Sequence, residues 1–141
     1  MMAVIEDLHY QIKHLISAWN GHDLDALVAL HAADYEGHDV GQPGVVRGLS
    51  EVRTALERYL LAFPDIELTP EDVLIDGQTV ALLWQARGTH RGVLMHIPAT
   101  GRKVAVRGVS LLTYRDGKIW RGSIIWDVAG LLRGIGLLPE L

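Results

Sequence analysis

The feature that most constrains this chain is Asp116-Gly117, set between two β-prone runs. Gly101 to Tyr114 precedes it and Ile119 to Asp127 follows. Asp-Gly between such runs predicts a tight hairpin, because the favoured two-residue turns need positive φ. After Trp126-Asp127 the stretch Val128 to Arg133 reads as a short helix. The chain therefore ends in a long antiparallel pair closed by one helix.

The first part of the sequence has a different period. Val4, Leu8, Ile12, Leu15 and Trp19 are spaced three or four apart, which is one face of an amphipathic helix, with Ile5 and Ile16 widening it. Asn20-Gly21 ends it. Asp23 is placed to cap a second helix, Leu24 to His31. Tyr35 to Val40 reads as a short strand and Gly41 to Gly48 as a loop. Ser50 is placed to cap a third helix whose apolar positions are Val52, Leu56, Tyr59, Leu60 and Phe63, and Pro64 stops it. Strand-like runs follow at Ile66 to Ile75 and Thr79 to Thr89, turning at Asp76-Gly77. His90 to Thr100 is a connection. Helices grouped before a mostly antiparallel sheet predict an α+β fold.

A length of 141 residues suits one domain spanning the chain, with a sizeable core. Net charge is −4 and Lys/Arg do not cluster, which argues against a nucleic-acid partner. Cysteine is absent, excluding disulfides and thiolate chemistry. No basic leader or long uncharged apolar run is visible, so a cytoplasmic protein with no membrane partner is expected. A mean hydropathy of +0.18 is high for so small a chain and predicts apolar surface covered by a second subunit or wrapped around a pocket. The two-faced apolar final strands predict a homodimer through the sheet.

Several strings carry a resemblance when taken in order: Ala18-Trp19-Asn20, Arg47-Gly48, Phe63-Pro64-Asp65, Gly88-Thr89-His90-Arg91-Gly92, Ile97-Pro98-Ala99-Thr100-Gly101-Arg102, Asp116-Gly117-Lys118-Ile119, and Trp126-Asp127 followed by Leu131 to Pro139. Together they resemble the SnoaL-like polyketide cyclase family of the NTF2-like superfamily. The resemblance implies an α+β cone, a curved mostly antiparallel sheet packed against three helices around an internal cavity. It implies a hydrophobic cyclic or polyketide-like substrate and an aldol cyclisation without metal or cofactor. The fold alone also hosts isomerases, hydratases and binding proteins. When the family's turn is laid on Asp116-Gly117-Lys118, its acid-base aspartate falls on Ile124 and its histidine on Ser110. Its asparagine falls near Ala55 and its tyrosine on Trp19. This chain retains none of the four residue types.

The candidate acid-base groups are then Asp127 and His90. Asp127 reads either as a general base at a cavity mouth or as the N-cap of the closing helix. His90 reads either as an acid-base group or as a ring bonded to a nearby loop. Candidate substrate contacts are Trp19, His38, Trp84, Ser110, Ile124 and Trp126. His38 and Asp39 point opposite ways on a strand and form no ready dyad. His31 reads as a helix-end cap. At period two, Trp120, Gly122, Ile124 and Trp126 share a face, read as an aromatic cavity wall, ordinary core or a dimer face. His90 and His96 are too weakly spaced for a metal site, and no metal is expected. No Gly-x-Ser-x-Gly elbow or phosphate loop occurs. The function expected is a cofactor-independent enzyme. The alternative is a non-catalytic ligand-binding or accessory protein, including a hydroxylation partner.

Overall fold

The computed structural model describes residues 2–141, with side chains from Asp7 onward, so the predicted contributions of Val4 and Ile5 lie outside the described side chains. The order is α1 (Met2–Asn20), α2 (Leu24–Ala29), β1 (His31–Asp39), β2 (Val45–Arg47), α3 (Gly48–Ala62), β3 (Glu67–Asp76), β4 (Thr79–Thr89), β5 (Lys103–Arg115), β6 (Lys118–Trp126) and α4 (Val128–Gly134). The strands form one six-stranded sheet in the order β2-β1-β6-β5-β4-β3. Every pairing is antiparallel except β1 with β6. The α+β reading from sequence is the fold observed, with a curved open sheet.

The final hairpin forms as its turn dictates, with Asp116 at φ 52° and Gly117 at φ 74°. α1 buries Leu8, Ile12 and Leu15 against the sheet. It ends in a clasp: the Asn20 side chain donates to Leu68 O at 3.0 Å and accepts from Leu68 N at 2.6 Å. One side chain thus satisfies both backbone groups of a strand residue, tying α1 to β3. Phe63-Pro64-Asp65 has a similar role. The Asp65 carboxylate accepts the N–H and the hydroxyl of Thr89, each at 2.7 Å, and these donors hold its pKa below the usual value.

Four expectations change. The second helix stops at Ala29 and β1 begins at His31, because the Leu30 and His31 region joins β6, with Ile119 N donating to Leu30 O at 2.9 Å. The expected loop after Val40 contains β2, paired with β1. Ser50 does not cap α3: the helix starts at Gly48, and the Glu51 carboxylate accepts Arg47 N at 2.9 Å. The shared face of β6 also breaks. Tyr114 pairs with Ile119 but Thr113 pairs with Arg121, so a bulge at Trp120 shifts the phase. Ile119 turns into the core at 1% exposure, and Trp120 turns away, between Arg121 at 4.0 Å and Arg115 at 4.8 Å from its ring.

Asp127 is the N-cap of α4, and its Oδ1 accepts Gly130 N at 2.8 Å. Asn caps about as well as Asp, whereas Ala loses the acceptor. Asp127→Asn is therefore expected to match the wild type in urea denaturation, and Asp127→Ala to lose about 1 kcal/mol.

Candidate functional site

The concave face of the sheet and helices α1 and α3 enclose a cavity of about 170 Å³. Its wall is largely aromatic and aliphatic: Trp19 from α1, Tyr59 from α3, Trp84 from β4, and Ile124 and Trp126 from β6. Tyr59 stands between two tryptophans, 6.5 Å from the Trp19 ring and 6.2 Å from the Trp126 ring in edge geometry. This wall suits the body of a flat apolar molecule.

The polar centre is Asp39, at the end of β1. Its Oδ1 accepts Gly41 N at 2.8 Å, Tyr59 OH at 2.9 Å and Trp126 Nε1 at 3.0 Å. Among the described residues no protein group bonds Oδ2. Burial raises the Asp39 pKa, and the three hydrogen bonds from Gly41, Trp126 and Tyr59 partly oppose that rise. Burial, and the negative charge of Asp39 next to it, push the Tyr59 hydroxyl well above the usual tyrosine range, so it remains a donor.

Further along β1 lie Tyr35 and His31, both on the cavity wall. The Nδ1 of His31 lies 2.8 Å from Leu27 O, one of the last carbonyls of α2. A carbonyl only accepts, so Nδ1 carries the proton and Nε2 is left as an acceptor. The expected helix-end role of His31 is therefore combined with a place in the wall. Burial lowers its pKa, favouring the neutral ring.

The structure brings five of the sequence-derived positions together. Trp19, Trp84, Ser110, Ile124 and Trp126 all line the cavity, and Trp84 Nε1 donates to the buried Ser110 Oγ at 3.0 Å. His38 is exposed and sits at the rim, bordering both the cavity and a shallow outer groove beside Glu36, Arg47 and Arg121. The two acid-base candidates lie apart from this centre. Asp127 is exposed and committed to α4. His90 is fully buried, packed on Phe63 at 5.7 Å, but outside the cavity wall. Its Nδ1 lies 3.3 Å from the Thr100 N–H and 3.0 Å from the Thr100 hydroxyl, pinning the 91–101 loop.

Asp39 and Tyr59 were not singled out as site residues from sequence. The available signal was alternation: Tyr35, Gly37 and Asp39 share a strand face, so an inward Tyr35 carries Asp39 inward with it. Among the described residues, no group of three or more His, Asp or Glu side chains is placed to hold a metal, and no helix is long and apolar enough to cross a membrane.

This architecture is the NTF2-like cone, and solved structures share it over nearly the whole chain. AclR from Streptomyces galilaeus, a candidate hydroxylase, superimposes with a TM-score of 0.85 at 25% identity, covering 98% of this chain and 89% of its own. TsrD from Streptomyces laurentii gives 0.83 at 26%, covering 94% and 97%. IdmH from Streptomyces antibioticus, a candidate polyketide cyclase, gives 0.77 at 30%, covering 91% and 97%. No sequence among curated proteins matches significantly. Residues 9–135 match the SnoaL-like polyketide cyclases, and the chain belongs to that family.

The raised pKa of Asp39 has a thermodynamic consequence. The folded state binds the Asp39 proton more tightly than the unfolded chain does. The stability this contributes is present below the ordinary carboxylate value of 3.8 and is lost as pH rises through the folded-state pKa. Asn keeps an acceptor for the three donors and carries no charge. Relative to wild type, Asp39→Asn is expected to gain stability as pH rises from 3 towards 7, measured by urea denaturation at each pH.

Proposed function

We propose that the protein is an enzyme acting on a hydrophobic cyclic or polyketide-like molecule, with Asp39 as its acid-base group in cyclase, isomerase or hydratase chemistry. One observation carries this reading: three donors anchor Oδ1 of a buried carboxylate and leave Oδ2 unbonded in an apolar cavity. A base needs one accessible oxygen, a fixed orientation and a pKa drawn towards neutrality, and Asp39 combines them. The chemistry asks nothing of Asp127 or His90. In this reading Trp19, Trp84 and Ile124 hold the body of the substrate, Trp84 orients Ser110, and Trp126 holds both substrate and Asp39. His38 contributes at the rim.

A second reading is a binding or accessory role, including partnership in a hydroxylation. It is favoured by the likeness to AclR and by Ile124 and Ser110 standing where the resemblance puts the aldol acid-base pair. The two readings diverge on Asp39. A planar aromatic ligand is expected to quench tryptophan emission saturably, and Ile124→Arg to abolish the quenching with the circular dichroism spectrum retained. Asp39→Asn is expected to keep that binding and to lower turnover by a factor on the order of 10² to 10⁴. Full turnover in Asp39→Asn excludes Asp39 as the base, and ligand binding without any turnover in the wild type supports the accessory role.

The partner we propose is a second copy of the chain. Leu111 and Ile125, 44% and 54% exposed, stand with Val109 on the outer face of β5 and β6, opposite the cavity. Covering that face in a homodimer of standard size buries about 1,200–2,000 Å². Light scattering on a sizing column is expected to give twice the chain mass at micromolar concentration, and a monomer mass there refutes the dimer.

A further inference from the structure

We infer that the Tyr35 hydroxyl is the hydrogen-bond donor to a carbonyl oxygen of the substrate, which makes the substrate an enolisable ketone bound with its α-carbon at Asp39. The inference rests on the reading of Asp39 as the acid-base group and goes further, to the functional group on which it acts.

The seat of this hydroxyl is built by the sheet. Tyr35 is 5% exposed and lines the cavity. Its hydroxyl lies over Gly37 and Gly122, which face each other across the β1–β6 pairing. A Cβ at either glycine would overlap the Tyr35 oxygen, so this pair of residues without side chains is what lets the phenol lie along the sheet. The other end of the ring is held by His31, edge-on at 5.0 Å, and His31 is held in turn by Leu27 O. Ring and hydroxyl are therefore fixed from both ends.

A fixed hydroxyl next to a carboxylate would ordinarily be bonded to it. Asp39 Oδ1 instead takes its three donors from Gly41, Tyr59 and Trp126. The Tyr35 hydroxyl has no hydrogen-bond partner among the described residues and, unlike that of Tyr114, is not sealed in the core. Burial, and then the charge of Asp39, push its pKa up to about 12, which keeps it protonated. The cavity thus holds an acceptor with a free oxygen and a donor with a free proton, both from one strand face.

That pair matches one elementary reaction. Asp39 Oδ2 takes a proton from the carbon beside a ketone. The C–H electron pair becomes the C=C bond, and the carbonyl π pair moves to oxygen. The resulting enolate oxygen accepts the hydrogen bond from Tyr35, and return of the proton from Asp39 to carbon restores the carboxylate. A donor aimed where charge develops stabilises the transition state more than the ground state.

The probe is 1-tetralone, a bicyclic ketone with exchangeable α-hydrogens. Wild type in D₂O is expected to accelerate deuterium incorporation at C2, followed by NMR, and to shift the bound carbonyl infrared band to lower wavenumber. Tyr35→Phe is expected to bind tetralone by calorimetry, to slow exchange by about 10²–10³-fold and to return the band to higher wavenumber. Gly122→Ala, which leaves Tyr35 in place but displaces its hydroxyl, should lose exchange and band shift together. Exchange at the wild-type rate in Tyr35→Phe with an unmoved carbonyl band overturns the Tyr35 assignment while leaving Asp39 in place. Unchanged exchange in Asp39→Asn overturns the reading of Asp39 instead, and the band shift still decides Tyr35. Wild type that binds tetralone without shifting its carbonyl band, or does not bind it, overturns the assignment.

Discussion

The interaction on which the site depends is the convergence of three donors on Asp39 Oδ1. Gly41 belongs to the turn after β1, Tyr59 to α3 and Trp126 to the end of β6. One carboxylate oxygen therefore joins the strand that carries it, the helix that roofs it and the neighbouring parallel strand. Hydrogen bonds to a charged group are worth more than neutral ones, about 1.5–3 kcal/mol each, and they offset the cost of burying the carboxylate. The offset is partial, since burial still leaves the pKa raised. A carboxylate held this way keeps its orientation without losing its basicity.

The bulge at Trp120 is the second constraint. Without it, β6 would keep Trp120 in phase with Ile124 and Trp126 and present an indole to the core beside Tyr35. With it, Ile119 fills the floor, and Trp120 is stacked between Arg115 and Arg121 outside. Bulges re-aim side chains near functional sites. Here the effect is to leave Gly122 facing Gly37, the space that the Tyr35 hydroxyl occupies.

The family's aldol positions are filled by groups of another kind. Ile124 adds apolar wall, and Ser110 is engaged by Trp84. The polar function has moved across the cavity to β1, where His31, Tyr35 and Asp39 line one side. The fold is common to many chemistries because the cone supplies a dry cavity whose lining side chains are set strand by strand.

The sequence by itself determined the elements and their order. Periodicity carried α1, β4, the final hairpin and the capping of α4 by Asp127, because these depend on contacts within a few residues. It also indicated that Trp19, Trp84, Ser110, Ile124 and Trp126 are chemically suited to one wall. Only the tertiary structure decided the rest. His90 and Asp127 have the right side chains, yet their hydrogen bonds are spent on Thr100 and on α4. Asp39 lies 20 residues from Tyr59 and 87 from Trp126 in the chain. Its environment exists only once β1 pairs in parallel with β6 and α3 folds over both. A pKa raised by burial and a hydroxyl seated over two facing glycines are properties of that packing, and no local pattern encodes them.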